Sequence, residues 1–537
     1  MPKKRYRPWA PDQAYLLPPR PCDWLGEGHL AYFILEVIDE LDLSEIEQAI
    51  HAKDPRGNRP YPPHMMVALL LYAYAVGVFS SRKIARGTYD DLAMRFIAGD
   101  NHPAFTTIAA FRRGHLVALG KLFVQAVQLC QAAGLVNLGH VSLDGTKIQA
   151  NASKHKAMSY DRMTKKEKQL QDEIAALLAR AEATDTAEDT LHGEGVDDNS
   201  LPEELQRREG RLTKIRAAKL ALEKEAKAAR AEVLREQQAR HEETAASHPD
   251  PTTRKKAAMR AKKRAAAANE LEESNDDLDA DPPDDSPGAS SGPALPRHRP
   301  KTEPDGTPKP KAQRNFTDPD SRIMKGKSGA FEQAYNAQVA VDDKHQVIVG
   351  LGVSNQAPDT DYLVPVMTHA VQTVGATPEA FTADAGYWSP SNAEWCENEG
   401  IDAYIAVSRE RCEQQPTGPP EVAPLRDNAL LPAGLPPPPD EGVADEAEPS
   451  PPPKKFSPKK EMAAKVKTER GRKIYRQRKH ITEPVFGQIK EARGFRRFLL
   501  RGMGAVQQEW ALVCTAHNLL KLFRAAPGGR LALLEAG

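Results

Sequence analysis

The chain has 537 residues, of which 74 are basic, 74 are acidic and 40% are hydrophobic, so its formal net charge is zero. A chain of this length exceeds a single compact core and predicts two or three folding units. Its five cysteines are dispersed, with no CxxC pair, which argues against a disulfide framework or a zinc site and favours a reducing compartment.

The first 135 residues have a helical pattern. The opening MPKKRYRPW has no apolar run behind its charges and is unlike a secretory signal. The longest uncharged stretch, Met65–Phe79, has 15 residues, short of the roughly 20 that cross a bilayer. It follows Pro62-Pro63, which predicts the start of a buried helix. We therefore expect a soluble cytoplasmic protein with no membrane contact.

Short helical runs joined by Gly or His-Pro turns complete residues 1–135. This pattern fits a helix-turn-helix DNA-binding domain, in which Thr106, Thr107, Arg112 and Arg113 are candidate DNA contacts. An ordinary helical bundle with a polar face fits it equally well.

The middle of the chain changes character three times. A β-like segment, GHVSLDGTK, starts at Gly139 and carries Asp144. Residues 161–240 are charged helix formers with apolar residues at 3-4 spacing, which predicts a helical or coiled-coil insertion suited to dimerisation. Residues 241–314 are Ala/Lys-rich, then acidic, then rich in Pro, Gly and Ser. Their composition predicts a disordered insertion.

Strand and helix signals alternate again after residue 315. FEQAYNAQVAVDD and KHQVIVGLGVSNQ predict a hairpin, and EAFTAD is a strand that ends at Asp384. Residues 410–458 are Pro-rich and predict a second disordered insertion. A basic helix carrying Glu483 and an apolar helix, EWALVCTAHNLLKLF, close the chain. Residues 136–160 and 315–525 together predict an α/β domain built on a mixed sheet.

The region around Glu483 is strongly basic. From Lys454 to Arg501 there are 17 Lys and Arg against four acids, a surplus of 13. A neutral protein with one basic end can bind a polyanion locally, although a solvated face explains such a run about as well.

Two aspartates and one glutamate form the candidate catalytic set. Asp144 ends VSLD and Asp384 ends FTAD, and each is followed by a turn. Taken singly, either Asp is more typical of a turn or a helix cap. Cleavage of a phosphodiester by two metal ions needs hard oxygen ligands that converge on one point. Strand-end aspartates are held in place by the sheet, and Glu483 reaches in from a helix.

Several motifs in this order resemble the DDE-type transposases of bacterial insertion sequences: DGTKIQANAS, AYNAQVAVDDKHQVIVG, TADAGYWS and EPVFGQIKEARGFRRFLLRG. The resemblance implies an RNase H-like catalytic domain whose three acids match Asp144, Asp384 and Glu483. It implies two Mg²⁺ ions, with Mn²⁺ as a substitute, held by the same three acids. It also implies a helical N-terminal domain that binds terminal inverted repeats, double-stranded transposon-end and target DNA as partners, and at least a homodimer.

The helix around Glu483 carries the candidate cations. Lys490 is seven residues after Glu483 and Lys479 is one turn before it, so an α-helix places all three on one face beside DNA phosphate. A surface ion pair is the alternative explanation. The family often has Tyr, two residues, Arg, three residues, then Glu; here Tyr475 and Arg478 lie one residue further from Glu483, which leaves their roles open.

Other polar residues support weaker expectations. Tyr387 is expected in the core and Asp359 at a helix cap, with a DNA contact and an outer acid as the respective alternatives. For the whole chain an active transposase is weighed against a catalytically inactive DNA-binding protein derived from one. A metal-dependent nuclease without strand transfer is the third possibility.

Overall fold

A computed structural model describes residues 23–52, 59–192, 203–276, 292–326, 329–408 and 457–531. The N-terminal part is helical, as predicted. Its helices are α1 (Leu30–Glu40), α2 (Ser44–His51), α3 (Pro63–Ala75), α4 (Ser81–Asp90), α5 (Leu92–Ile97), α6 (Phe105–Gly114) and α7 (Leu116–Ala132). Helix α3 starts at a proline, where the missing N–H has no helical partner to lose. Nearly every residue of α3 is buried, which confirms the buried helix.

The N-terminal helices share one core with the end of the chain. The last long helix, which we number α15 (Met503–Ala525), packs against α3 and α7. It is buried on almost all sides, from Met503 to Leu519. A single apolar cluster runs from Ala31 to Leu522. Within the described ranges, no helix is long and apolar enough to cross a membrane.

A mixed sheet lies at the centre of the α/β part. Its strands are β1 (His140–Gln149), β4 (Arg322–Lys325), β5 (Phe331–Asp342), β6 (Ile348–Ser354), β7 (Ala380–Ala383) and β8 (Asp402–Ile405). A separate pair is formed by β2 (Ala157–Ser159) and β3 (Gln313–Asn315). Strand β5 is antiparallel to β1, β4 and β6, whereas β7 is parallel to both β1 and β8. The order β6-β5-β1-β7-β8 is RNase H-like, as expected. Helices α11 (Leu363–Val374) and α12 (Pro390–Asn398) provide the connections around β7.

A helical insertion separates β2 from β3. It consists of α8 (Tyr160–His192), α9 (Glu203–Ser247) and α10 (Pro251–Asp276). The helical expectation for 161–240 agrees with α8 and α9. The expectation that 241–314 is disordered is wrong for α10, because its composition conceals a helical period: Ala257, Ala261 and Ala268 form a buried stripe along the helix. It is also wrong for 292–314, part of which forms β3. Residues 277–291 lie outside the described residues, as do 410–456 of the predicted Pro-rich insertion.

The insertion is attached to the sheet near the middle of α9. Glu225 forms ion pairs with Arg314, at 2.9 Å, and with Arg322 of β4. Tyr160 donates a hydrogen bond to Glu223 at 2.6 Å. Helix α8 runs along the first half of α9, where Glu167 pairs with Lys219. The second half of α9 carries α10.

The C-terminal helices cover the sheet. They are α13 (Pro458–Lys467), α14 (Glu469–Gly487), a π-helix (Gln488–Ala492) and α15. Pro484 lies inside α14 and has no N–H, so the carbonyl of His480 loses its helical partner. The Gln346 amide donates to that carbonyl at 2.9 Å, and this bond satisfies it without breaking the helix.

The loop between the π-helix and α15 is anchored to β1. Phe498 donates its N–H to the carbonyl of Gln149 at 2.9 Å. Glu509 of α15 accepts hydrogen bonds from the N–H groups of Leu499 and Leu500 at 3.0 Å each. The buried Glu509 carboxyl therefore fixes the loop that follows α14.

Candidate active site

Asp144 and Asp384 lie side by side at the centre of the sheet. The parallel register pairs Leu143 with Ala383, so the two aspartates are the next residues on neighbouring strands. Adjacent strands are about 4.8 Å apart, and side chains at matching positions of parallel strands point to the same face. The sheet itself thus brings together two acids that are 240 positions apart in sequence.

The Asp144 carboxylate is largely buried and has three partners. It accepts a hydrogen bond from Gly145 N at 2.8 Å and one from the Thr482 hydroxyl at 3.2 Å. Arg478 forms an ion pair with it at 3.4 Å. Burial raises the pKa of Asp144, while the Arg478 guanidinium opposes that rise and the charge of Asp384 adds to it. The site thus holds a desolvated carboxylate partly neutralised by a cation.

Asp384 is held by the turn that follows β7. One of its oxygens accepts a hydrogen bond from Gly386 N at 2.8 Å, so the carboxylate caps the short helix Ala385–Tyr387. A Cβ at Gly386 would lie 2.9 Å from that oxygen and 3.5 Å from an oxygen of Asp359. A third carboxylate, that of Asp359, is therefore adjacent to the turn.

Asp359 belongs to a buried polar network that the sequence did not reveal. It accepts hydrogen bonds from Asn336 at 2.6 Å and Gln338 at 3.0 Å, and it pairs with Lys147 at 3.4 Å. Asp359 stands at the N-cap position of the short helix Thr360–Tyr362, as expected, but its side chain accepts no capping hydrogen bond there. Burial lowers the pKa of the Lys147 ammonium, and the carboxylate of Asp359 opposes that change first, followed by those of Asp384 and Asp144.

The alternation of polar residues along β5 was the available signal for this network. Asn336 and Gln338 are two apart in the central part of β5, between apolar or aromatic neighbours, and both are fully buried, so they face the same side. Tyr387 donates to Gln338 and is buried, as its core assignment predicts. Gly145 lies opposite Gln338, and a Cβ there would collide with the Gln338 amide. This contact explains the glycine after Asp144.

Glu483 occupies an exposed position on α14, one residue after Thr482. Among the described residues, no hydrogen bond or ion pair joins its carboxylate to Asp144 or Asp384. Nor does that part of the chain gather three or more Asp, Glu, His and Cys side chains closely enough to hold a metal ion. The two aspartates fit a hard divalent cation, and Arg478 supplies positive charge at that point. The Glu483 side chain must turn inward to provide a third ligand.

The cations of α14 and the π-helix are in different surroundings. Arg478 faces Asp144 and also lies 5.8 Å from the ring centre of Tyr475, so the two residues whose roles were open both border the site. Lys479 is exposed. Lys490 donates to the Thr146 hydroxyl at 2.7 Å and to the Lys147 carbonyl at 2.8 Å. The expectation that Glu483 and Lys490 share one face was based on an uninterrupted α-helix. Lys490 lies in the π-helix, whose turns contain more residues, so its direction around the helix axis differs from the expected one.

Arg112 is a correction to the predicted DNA-binding set. It is 7% exposed, and its guanidinium donates to the Tyr74 hydroxyl and to the Phe79 carbonyl, both at 3.0 Å. This arginine links helices in the core and does not form a DNA-facing surface. Its neighbour Arg113 is exposed, as are Thr106 and Thr107.

Comparison with known protein families gives two matches. Residues 22–114 match the family described as a transposase domain (DUF772), which covers α1 to α6. Residues 452–523 match the family described as a transposase DDE domain. That second match includes α14 and Glu483. No curated protein and no solved structure matches the chain.

Proposed function

We propose that this chain is a DDE-type transposase of an insertion sequence, that it binds the terminal inverted repeats of its own element, and that it catalyses Mg²⁺-dependent cleavage and strand transfer of DNA. Two matches to transposase family models support this proposal. One observation carries the proposal. Asp144 and Asp384 are adjacent on parallel strands of an RNase H-like sheet, and α14, which lies in the matched DDE region, packs across both strands.

Each acid has a role in the proposed reaction. Asp144 and Asp384 would hold divalent ions from the sheet side, and Glu483 would complete the set from α14. Such ions would supply activation of the attacking oxygen and stabilisation of the leaving oxygen. In the reaction proposed, the oxygen of a water or a 3′-hydroxyl bonds to phosphorus and loses its proton to solvent, while the bond to the leaving 3′-oxygen breaks. Divalent-metal dependence is general for DDE domains; the identity of the ion as Mg²⁺ is part of the proposal.

The surrounding cations orient the DNA. Arg478 lies beside Asp144 and is placed to contact the scissile phosphate once the aspartate is engaged by metal. Lys479 and Arg113, both exposed, are proposed to contact phosphates further along the duplex. Lys490 is proposed to position β1, the strand that carries Asp144, because its ammonium donates hydrogen bonds to Thr146 and Lys147 of that strand. Residues 1–135 are proposed to recognise the inverted repeats, and a cytoplasmic homodimer is proposed to bring the two ends together.

An end-cleavage assay tests the proposal. The wild-type chain is incubated with labelled duplexes that carry the inverted repeats flanking its gene, with Mg²⁺, Mn²⁺ or EDTA. Asp144→Asn, Asp384→Asn and Glu483→Gln should each bind the duplex and lose cleavage by about a thousandfold or more. Glu491→Gln is the matched control, because Glu491 is an exposed acid that pairs with Arg496 outside the site.

The products distinguish the alternatives. Joined products with target DNA indicate strand transfer. Cleavage without joined product supports a nuclease instead. Binding without cleavage by the wild-type chain, with either metal, supports an inactive DNA-binding protein. If Glu483→Gln cuts as well as Glu491→Gln does, the third acid is assigned to the wrong residue.

A further inference from the structure

We infer that the outer half of α10 is a second DNA-binding surface, which holds the phosphate backbone of a duplex away from the Asp144 site. The inference rests on the proposed function for its choice of DNA as the polyanion. We call residues 254–264 the basic outer segment. It contains seven cations: Arg254, Lys255, Lys256, Arg260, Lys262, Lys263 and Arg264.

The cations of this segment are presented to solvent. Six of the seven are exposed, and Arg264 is half-buried. No acid occurs from Pro251 to Ala268. Among the described residues, none of the seven side chains forms an ion pair or a hydrogen bond. The buried stripe of α10 consists of alanines against α9, so six of the seven charges are left on the outer surface and Arg264 lies at its edge.

The charge order along α10 opposes helix stability. Lys256, Arg260 and Arg264 are spaced four residues apart, so like charges face each other on adjacent turns. The cations lie toward the positive N-terminal end of the helix dipole, and four acids (Glu270, Glu272, Glu273 and Asp276) lie toward its negative end. The reverse order would stabilise the helix. Helix stability therefore does not account for this order of charges.

The segment extends beyond the attachment of the insertion to the sheet. Arg235 of α9 donates to Asn269 at 2.6 Å, and the segment lies five to fifteen residues further out, about 8–22 Å along the helix. The Lys256–Arg264 stripe is about 12 Å long. A B-DNA duplex presents one phosphate charge per about 1.7 Å of its axis, so a stripe of this length faces several phosphates.

DNA fits this surface better than a lipid membrane does. A helix that lies on a membrane needs a broad apolar face beside its cations. Here the apolar stripe is covered by α9, and Met259, 73% exposed, is the large apolar side chain that the segment leaves open. Unpaired cations without an apolar face are suited to binding the phosphate backbone of DNA, an interaction that does not depend on base sequence.

A triple variant, Lys256→Gln/Arg260→Gln/Arg264→Gln, tests the inference in the full-length chain. Glutamine keeps the helix propensity, and circular dichroism verifies the fold. Fluorescence anisotropy measures binding to a 30-base-pair duplex of random sequence in EDTA across a salt series. We expect affinity at about 100 mM salt to fall about tenfold or more, and the slope of log affinity against log salt to decrease by about 2 to 3.

The matched control is Lys168→Gln/Arg211→Gln/Lys214→Gln. It removes three exposed cations from α8 and the first half of α9 and should leave the slope within about one of the wild type. An unchanged slope in the test variant overturns the inference. So does an equal loss in both variants. Vesicles of 30% phosphatidylserine provide the membrane arm, and segment-dependent vesicle binding with unchanged DNA binding also overturns it.

The two proposals fail separately, because this assay contains no metal and measures no cleavage. Segment-dependent duplex binding by a chain that never cuts DNA supports the inference and refutes the proposed catalysis. Metal-dependent cleavage with an unchanged salt slope in the test variant does the opposite.

Discussion

The two sides of the candidate site are built differently. On the sheet side, Asp144 and Asp384 are fixed by strand register and by hydrogen bonds from the N–H groups of Gly145 and Gly386. On the helix side, Glu483 is exposed on α14, a helix that contains a proline and continues into a π-helix.

The sheet side is therefore preorganised. Strand register places two carboxylates next to each other, and the Arg478 guanidinium offsets part of the cost of holding like charges together in a buried site. On the helix side, the exposed Glu483 side chain can change rotamer, which its proposed role as a third ligand requires. Substitutions on the sheet side should therefore displace a carboxylate whose position is fixed. Substitutions on the helix side should change only how far the Glu483 carboxylate extends from α14.

The largest expected effect compares side-chain length on the two sides. Asp144→Glu adds a methylene against Thr482 and Arg478 and should reduce single-turnover cleavage about a thousandfold, because a shift of about 1 Å already costs about a hundredfold. Glu483→Asp removes a methylene from an exposed side chain and should cost about ten- to a hundredfold. The control is Asp161→Glu, at an exposed position of α8. Equal losses on the two sides would contradict the comparison.

Glu509 of α15, which anchors the loop after the π-helix, should make the stability of the fold depend on pH. Burial raises the pKa of Glu509 from 4.5 to about 7, so the folded chain keeps a proton that the unfolded chain releases. Glu509 should then contribute a fall in the free energy of unfolding of up to about 3 kcal/mol as pH rises from about 4.5 to about 7. His298 and the buried His517, whose pKa values are lowered by desolvation, contribute a rise over the same interval, so the comparison with a variant isolates the part due to Glu509. Glu509→Gln should flatten this fall in urea denaturation measured at several pH values. Asp342, whose pKa is raised to about 6, also contributes below pH 6, so the interval from pH 6 to 7 is decisive. An unchanged slope in that interval would exclude Glu509 as its source.

On the sheet side, Gly145→Ala should destabilise the fold by about 1–3 kcal/mol, because the added Cβ collides with the buried Gln338 amide. Gly139→Ala is the control, since its Cβ would meet its nearest neighbour, in Asn137, at 3.6 Å. Denaturant titration measures both. Gln338→Ala in the Gly145→Ala background should recover part of the loss; if it recovers none, the collision is not the cause.

The smallest expected effect concerns the proline in α14. Gln346→Ala should cost about 1 kcal/mol, because it leaves the His480 carbonyl without a donor. Pro484→Ala restores a helical N–H for that carbonyl, so the same Gln346→Ala change should cost less in its presence. A double-mutant cycle of unfolding free energies measures the difference. A coupling of zero would show that Gln346 does not replace the missing bond.

The sequence predicted what depends on local pattern. Asp144 and Asp384 were identifiable because each ends an apolar run at a turn, and the α/β order followed from alternating strand and helix signals. Their adjacency depends on the pairing of Leu143 with Ala383, and a pattern along the chain does not specify which strands pair.

The errors and the missed contacts have the same physical origin. Arg112 is in a polar stretch, but only tertiary packing decides which face of its helix is buried. Asp359 meets Asn336 and Lys147 through contacts across the sheet. Lys490 was placed by an α-helical period that the π-helix interrupts. Helix α10 was predicted to be disordered from its composition alone. Its alanine stripe is buried only because α9 packs against it.

One further consequence follows from the length of α9. A single helix of 45 residues, about 67 Å long, carries α8 along one half and α10 along the other. Its ion pairs with Arg314 and Arg322 are near its midpoint. The helix is therefore held to the sheet near its middle, with one arm of the insertion on each side of that point. If DNA binds the α10 end as inferred above, Glu225 is the point through which α9 would transmit that force to β4.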